Sequence, residues 1–180
     1  MNPAEIDLLT IARGMVTAPA GCGKTQLIVR ALAAHKGSKP ILLLTHTNAG
    51  VAALRARLDR IGVLHRAYRL STIDGWAIRL ITSFPGRSGH DPNILQLTTP
   101  TRDYPEIRNA AKKLLESGHV NTILKASYAH LIVDEYQDCS VPQHLIVYFL
   151  SLILPTCVLG DPMQAIFGFR GNALADWGQQ

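Results

Sequence analysis

The sequence predicts an α/β protein with a mainly parallel sheet flanked by helices, and three observations carry that prediction. Short apolar runs of strand length, Ile41 to Thr45, His130 to Val133 and Cys157 to Leu159, alternate with longer helix-forming segments. A loop of small residues, Thr17-Ala18-Pro19-Ala20-Gly21-Cys22-Gly23-Lys24-Thr25, joins an extended run to a helix. Chemistry-bearing residues follow the strand ends, where doubly wound sheets place their ligands.

Taken in order, Met1 to Arg13 is expected as a short helix, with Ile6, Leu8, Leu9 and Ile11 apolar. Gly14 to Thr17 is extended, and Gln26 to Ala33 forms the helix after the small-residue loop. Gly37-Ser38-Lys39-Pro40 is a turn. Ile41 to Thr45 is a buried parallel strand, and Ala49 to Arg60 a helix with Val51, Leu54 and Leu58 on one side. Gly62 stops it. His65 to Leu70 reads as a strand, and Ser71-Thr72-Ile73-Asp74 caps a helix running from Gly75 to Ile81.

Residues 83–103, rich in Ser, Pro, Gly, Asn, Asp and Thr, are expected to be irregular. Pro105 to Ser117 is helical, with proline at its start and Gly118 at its end. Val120 to Ser127 is a further helix and His130 to Val133 a strand ending in Asp134-Glu135. Gln143 to Leu154 is an apolar helix, and Cys157 to Leu159 a last strand before Gly160-Asp161-Pro162.

A chain of 180 residues with 47% hydrophobic content makes one domain with a substantial core. Its longest apolar run, Leu145 to Leu154, has half the length a membrane span needs, so no membrane partner is expected. The N-terminus carries Glu5 and Asp7 without a basic flank, unlike a signal peptide. Cys22, Cys139 and Cys157 are odd in number and lack metal-ligand spacing, so reduced thiols and a cytoplasmic location are expected. Residues 51–90 hold seven arginines (55, 57, 60, 66, 69, 79, 87) against Asp59 and Asp74, which accounts for the whole net charge of +5. That stretch reads either as a polyanion-binding face or as a solvated helix surface.

The small-residue loop has the strand–loop–helix setting of a phosphate loop, with Ala18 in place of the usual first glycine. The loop from Ala18 through Gln26 would wrap a polyphosphate, with the backbone N–H groups of all but Pro19 converging on it, helped by the helix N-terminus. Lys24 would reach the β- and γ-phosphates of ATP, and Thr25 would ligate Mg²⁺. Asp134 would share that Mg²⁺, and Glu135 is placed to orient or deprotonate an attacking water. An isolated Asp-Glu pair often caps a helix; opposite a phosphate loop the catalytic reading is favoured. Gln164 follows another strand end, as a γ-phosphate contact or a turn residue. Phe167 and Phe169, followed by Arg170, read as a base-stacking platform or as core aromatics.

These motifs in this order resemble the first RecA-like domain of UvrD/Rep/PcrA-type superfamily 1 DNA helicases, within the P-loop NTPases. The resemblance runs through Leu44-Thr45-His46-Thr47-Asn48, Ser71-Thr72-Ile73-Asp74-Gly75-Trp76 and Val133-Asp134-Glu135-Tyr136-Gln137-Asp138. It continues through 160–171, Gly160-Asp161-Pro162-Met163-Gln164-Ala165-Ile166-Phe167-Gly168-Phe169-Arg170-Gly171. It implies ATP-driven 3′→5′ translocation on single-stranded DNA. It assigns Gln164 to linking the γ-phosphate with DNA, Phe167, Phe169 and Arg170 to DNA stacking, and Thr47, Asn48 and Thr72 to the DNA backbone. The alternative is a non-catalytic nucleotide-binding module acting as a regulator or partner subunit.

Several positions depart from the family pattern. Glu5 stands where an adenine-reading glutamine is usual, and an ionised carboxylate cannot donate to N7. His46 replaces a common phenylalanine, and Asp74 a common histidine. About 50 residues separate Trp76 from Leu131, so the insertion at about 83–128 must be small. The family's second RecA-like domain, which supplies arginines to the ATP site, is not within residues 1–180. A further domain or subunit is therefore expected to complete the enzyme, with this chain alone poorly active.

Overall fold

The structure, a computed structural model, describes residues 6–19, 21 and 23–161. Five strands, β1 (Arg13–Thr17), β2 (Ile41–Thr45), β3 (Tyr68–Thr72), β4 (Leu131–Val133) and β5 (Thr156–Gly160), pair in the order β1–β5–β4–β2–β3. Every pairing is parallel, the α/β sheet that the alternating apolar runs predict. Among the described residues, seven helices connect them: α1 (Lys24–Ala34), α2 (Asn48–Arg60), α3 (Ile73–Ser83), α4 (Pro85–Ser88), α5 (Pro100–Glu116), α6 (Asn121–Ser127) and α7 (Val141–Ser151). Among the described residues, no helix is long and apolar enough to cross a membrane.

The period-2 pleat divides the core in two. Ile41, Leu43, Ile132, Cys157 and Leu159 face one layer, where Ile28 and Leu32 of α1 and Leu54 and Leu58 of α2 cover them. Leu42, Leu44, Leu131 and Val133 face the other, against α3, α5, α6 and α7. β2 is buried at all five positions because it lies inside the sheet with a helical layer on each face. Residues 83–128 sit in the second layer: Ile107, Ala111 and Leu114 of α5 pack with Ile73 and Ile81 of α3 and Ile146 of α7.

Two expectations fail. The N-terminal stretch is not a helix through Arg13: Leu8–Thr10 is a single 3-10 turn, Arg13 opens β1, and residues 1–5 lie outside the described part. Asp7 is the cause, since its carboxylate accepts from Leu9 N at 3.0 Å and closes a local turn in place of a helical ladder. Residues 83–103 are also more regular than their composition suggests. Pro85 opens α4, Pro92 opens a 3-10 turn ending at Gln96, and Pro100 opens α5, five residues before the expected start. Each proline occupies a position whose N–H has no helical partner. Pro105 therefore lies within α5, and the buried Asp103 helps hold that helix's start by accepting from Thr99 N at 2.8 Å.

Smaller shifts follow local chemistry. His65–Ala67 is a 3-10 turn, so β3 begins at Tyr68 and extends through Thr72. α7 begins at Val141 because Ser140 and Gln143 form a capping box, with Ser140 N donating to Gln143 Oε1 at 3.1 Å.

Candidate functional site

The parallel register brings the strand ends carrying the motifs onto one edge of the sheet. Thr17 of β1 pairs with Gly160 of β5, Val133 of β4 with Leu44 of β2, and Thr45 of β2 with Thr72 of β3. With neighbouring strands about 4.8 Å apart, the β1 and β4 ends lie about 10 Å from each other, with β5 between them. The small-residue loop, Gly160-Asp161 and Asp134-Glu135 therefore border one crevice.

The loop enters α1 through a left-handed turn. Gly23 has φ +85° and is the residue before the first helical one, Lys24. A side chain would be strained at that φ, so glycine here sets how the chain turns into the helix. Ala18 N donates to Gly160 O at 3.2 Å, pinning the start of the loop to the end of β5. Lys24 is buried, and its ammonium donates to Ala18 O at 2.8 Å and to Pro19 O at 3.5 Å. Thr25 is half-buried and Gln26 exposed in the first turn of α1; Gly21 is exposed with φ +77°. Ala20 and Cys22 lie outside the described residues.

Asp134 leaves β4 with its backbone N–H on Leu44 O at 2.8 Å, and its side chain is buried. Its Oδ1 is enclosed without a hydrogen-bond partner. Burial, then the adjacent Glu135 charge, push its carboxyl up to about 6. A buried carboxylate with an orphaned oxygen fits a hard divalent cation, which takes oxygen ligands. Asp134 and Thr25 could hold one, and such a cation would neutralise charge on a bound polyphosphate. Glu135 is half-buried, with φ +52°.

Along the same edge, β2 and β3 each lead into a helix capped by threonine. Thr47 Oγ1 accepts from Gly50 N at 3.0 Å, and Thr72 Oγ1 accepts from Gly75 N at 2.9 Å. Both caps are Thr-x-x-Gly because space is short. A Cβ at Gly75 would lie 2.9 Å from Thr72 Oγ1, and one at Gly50 would lie 2.8 Å from Thr45 Oγ1. Thr47 and Asn48 are exposed and Thr72 half-buried, so the N-termini of α2 and α3 open side by side beyond adjacent strands.

The structure does not gather the arginines of 51–90 at this edge. Arg57 and Arg60 occupy the last turn of α2, about 15–20 Å of helix away from Thr47, and Arg66 follows in the next turn. Arg87 donates to His119 O at 3.1 Å, on the α5–α6 connection. Gln164, Phe167, Phe169 and Arg170 lie outside the described residues, as does Glu5.

Two residues matter here that the motif reading left aside. Gln137 is buried and hydrogen-bonded to Glu135 and to the backbone of Asp161; its signal was an amide two residues beyond the acidic pair. Arg108, from the stretch expected to hold only an insertion, pairs with Asp74 beside the Thr72 cap. No local pattern links positions 34 residues apart.

A family model described as an AAA domain matches residues 6–170. Over 58 residues, 32% of this chain, the sequence is 34% identical to a probable DNA helicase II homolog of Rickettsia conorii. The matched stretch spans 9% of that relative's length.

Proposed function

The chain belongs to the AAA domain family as a UvrD-type helicase first domain, and from that premise we propose that it binds Mg·ATP and single-stranded DNA at the strand-end edge. The observation that carries this reading is the shared edge itself. β1, β5 and β4 present the phosphate loop, Gly160-Asp161 and Asp134-Glu135, while β2 and β3 present two helix N-termini. A polyphosphate suits the first group, with Lys24 turning from the Ala18 carbonyl to the phosphates and Thr25 and Asp134 holding Mg²⁺. Glu135 would orient the attacking water for in-line hydrolysis.

A phosphodiester backbone suits the second group. The first-turn backbone donors of α2 and α3 that the threonine caps leave over, together with Thr47, Asn48 and Thr72, would meet successive phosphates. Gln164, Phe167, Phe169 and Arg170 enter this reading by resemblance alone, as the coupling and base-stacking segment. In the whole enzyme, a second RecA-like domain or subunit supplies arginines and the cycle drives 3′→5′ translocation.

Equilibrium titration with Mg·ATP and with a labelled oligothymidylate tests the proposal. Both should bind, nucleotide binding should need Mg²⁺, and ATP turnover by this chain alone should stay low even with single-stranded DNA. Nucleotide binding without any DNA binding would favour the regulatory-module reading instead.

A further inference from the structure

Between Glu135 and the end of β5 stands a buried amide. Gln137 lies in the 3-10 turn Tyr136–Asp138 after β4 and is only 3% exposed. Its Nε2 donates to Glu135 Oε2 at 2.7 Å, and its Oε1 accepts from the backbone N–H of Asp161 at 3.0 Å. The two bonds use opposite sides of one planar group, so carboxylate and backbone share a rigid spacer. The first is charge-assisted, and both would be costly to leave unmade in a buried setting.

We propose that Gln137 is a positioning residue that fixes the Glu135 carboxylate and ties it to the backbone of Asp161. This rests on the reading of Glu135 as the group that orients water. The tie has a second end. Gly160, one residue before Asp161, accepts from Ala18 N of the phosphate loop at 3.2 Å. Loop, β5 end, Gln137 and Glu135 are thus joined by three consecutive hydrogen bonds. A shift of the loop backbone on closing around a polyphosphate moves the end of β5, and Gln137 carries that shift to the carboxylate. Without the amide, Glu135 is free to rotate at the moment it must hold a water.

Proton exchange at the Asp161 amide, followed by NMR on the whole chain without nucleotide, tests the tie. Gln137→Met keeps an unbranched shape but lacks the amide donor and carbonyl acceptor, and should speed exchange at Asp161 at least tenfold. Glu135→Asn suits the left-handed backbone but is too short to reach Gln137. It should speed exchange severalfold in the native background and have no added effect in Gln137→Met, as coupled residues require. Gln137→Glu keeps an acceptor for Asp161 and loses the donor to Glu135, so exchange at Asp161 should speed severalfold, as in Glu135→Asn, and stay well below that of Gln137→Met. Global loosening would speed all slow amides together, whereas the expected effect is confined to the β5 end.

DNA-stimulated turnover of the whole enzyme, with the domain or subunit that completes the site, supplies the functional readout. Gln137→Met and Gln137→Glu should both lower kcat at least tenfold while leaving KM for ATP within threefold. Exchange at Asp161 that ignores Glu135→Asn while Gln137 is intact would overturn the tie. An unchanged kcat in both Gln137 variants would overturn the positioning role. Failure of the native chain to bind Mg·ATP would instead overturn the reading of Glu135, since the exchange cycle is run without nucleotide.

Discussion

Arg108 grips both oxygens of Asp74, with Nε to Oδ1 at 2.6 Å and Nη2 to Oδ2 at 2.7 Å. The pair joins the first turn of α3 to the middle of α5, and Gln143 of α7 adds a third donor to Asp74 Oδ2 at 3.1 Å. Three helices therefore share one carboxylate, two residues from the Thr72 cap. The side chains are 14% and 18% exposed, which places the pair between the surface and buried limits. Arg108→Met should destabilise the fold by about 2 kcal/mol, leaving Asp74 without its cation. A double-mutant cycle with Asp74→Asn, read by chemical denaturation, should give a coupling of about 1–2 kcal/mol. Additive effects would show that the contact is only geometric.

Lys24 is committed to the loop's own carbonyls, at 2.8 Å from Ala18 O. A polyphosphate must win the ammonium from them, and it can because phosphate oxygens carry charge that carbonyls lack. Mg·ATP should therefore bind and raise folding stability by mass action, by about 2.7 kcal/mol at a hundredfold excess over Kd. Thermal melts with and without Mg·ATP measure this. The shift should vanish in Lys24→Ala; an equal shift there would put the nucleotide somewhere else.

Asp134 gives a pH prediction whose sign follows from its burial. In the folded chain its carboxyl is pushed up to about 6 from 3.8, so between those values the folded state holds the proton more tightly than the unfolded chain. Stability contributed by this group is thus lost as pH rises from about 4 through 6. Asp134→Asn removes the charge and should be more stable than the native protein above pH 6, by up to about 3 kcal/mol. The advantage should shrink to nothing below about pH 4. Denaturation of the two proteins without metal, across that window, checks it. A constant difference at all pH values would mean that charge burial is not the cause.

His130 acts in the opposite direction. Burial holds its imidazole below the usual range, so its neutral form contributes stability that is full above about pH 6.5 and lost as pH falls. The Asp134→Asn comparison cancels this background, because His130 is present in both proteins.

The parallel sheet was legible because β2, β4 and β5 are interior strands, and interior strands write themselves as unbroken apolar runs. The strand-end motifs were legible for the same reason, since each follows a run whose end is unambiguous. The N-terminal stretch was not, because Ile6, Leu8, Leu9 and Ile11 suit a helix while one carboxylate, Asp7, diverts the backbone. Residues 83–103 misled through their prolines, which break a helix when interior but open one at its first turn. Long-range pairings such as Arg108 with Asp74 leave no local trace. Charge was the most deceptive signal: arginines close in sequence lie in the C-terminal half of α2, in the turn after it and near the start of β3, away from the strand-end edge.

That dispersal decides what the salt dependence of DNA binding should look like. If phosphates were held by the arginine stretch, Arg57→Gln with Arg60→Gln would weaken binding at low salt. It would also flatten the slope of log affinity against log salt by about 1.4, two contacts at about 0.7 each. Those arginines sit at the last turn of α2, whereas Thr47 and Thr72 cap the starts of α2 and α3 at the other end of the sheet. Contacts to helix N-termini use backbone donors, which release fewer counterions than cationic side chains do. We expect the double arginine variant to bind a labelled oligothymidylate within twofold of the native chain, with its slope unchanged. Thr72→Ala should weaken binding severalfold, because it removes a cap worth about 1 kcal/mol and loosens the first turn of α3. Thr72→Ser keeps the hydroxyl and should bind normally. Fluorescence anisotropy across a salt series separates the two geometries. A flattened slope in the arginine variant, with Thr72→Ala indistinguishable from native, would move the DNA site to the far end of α2.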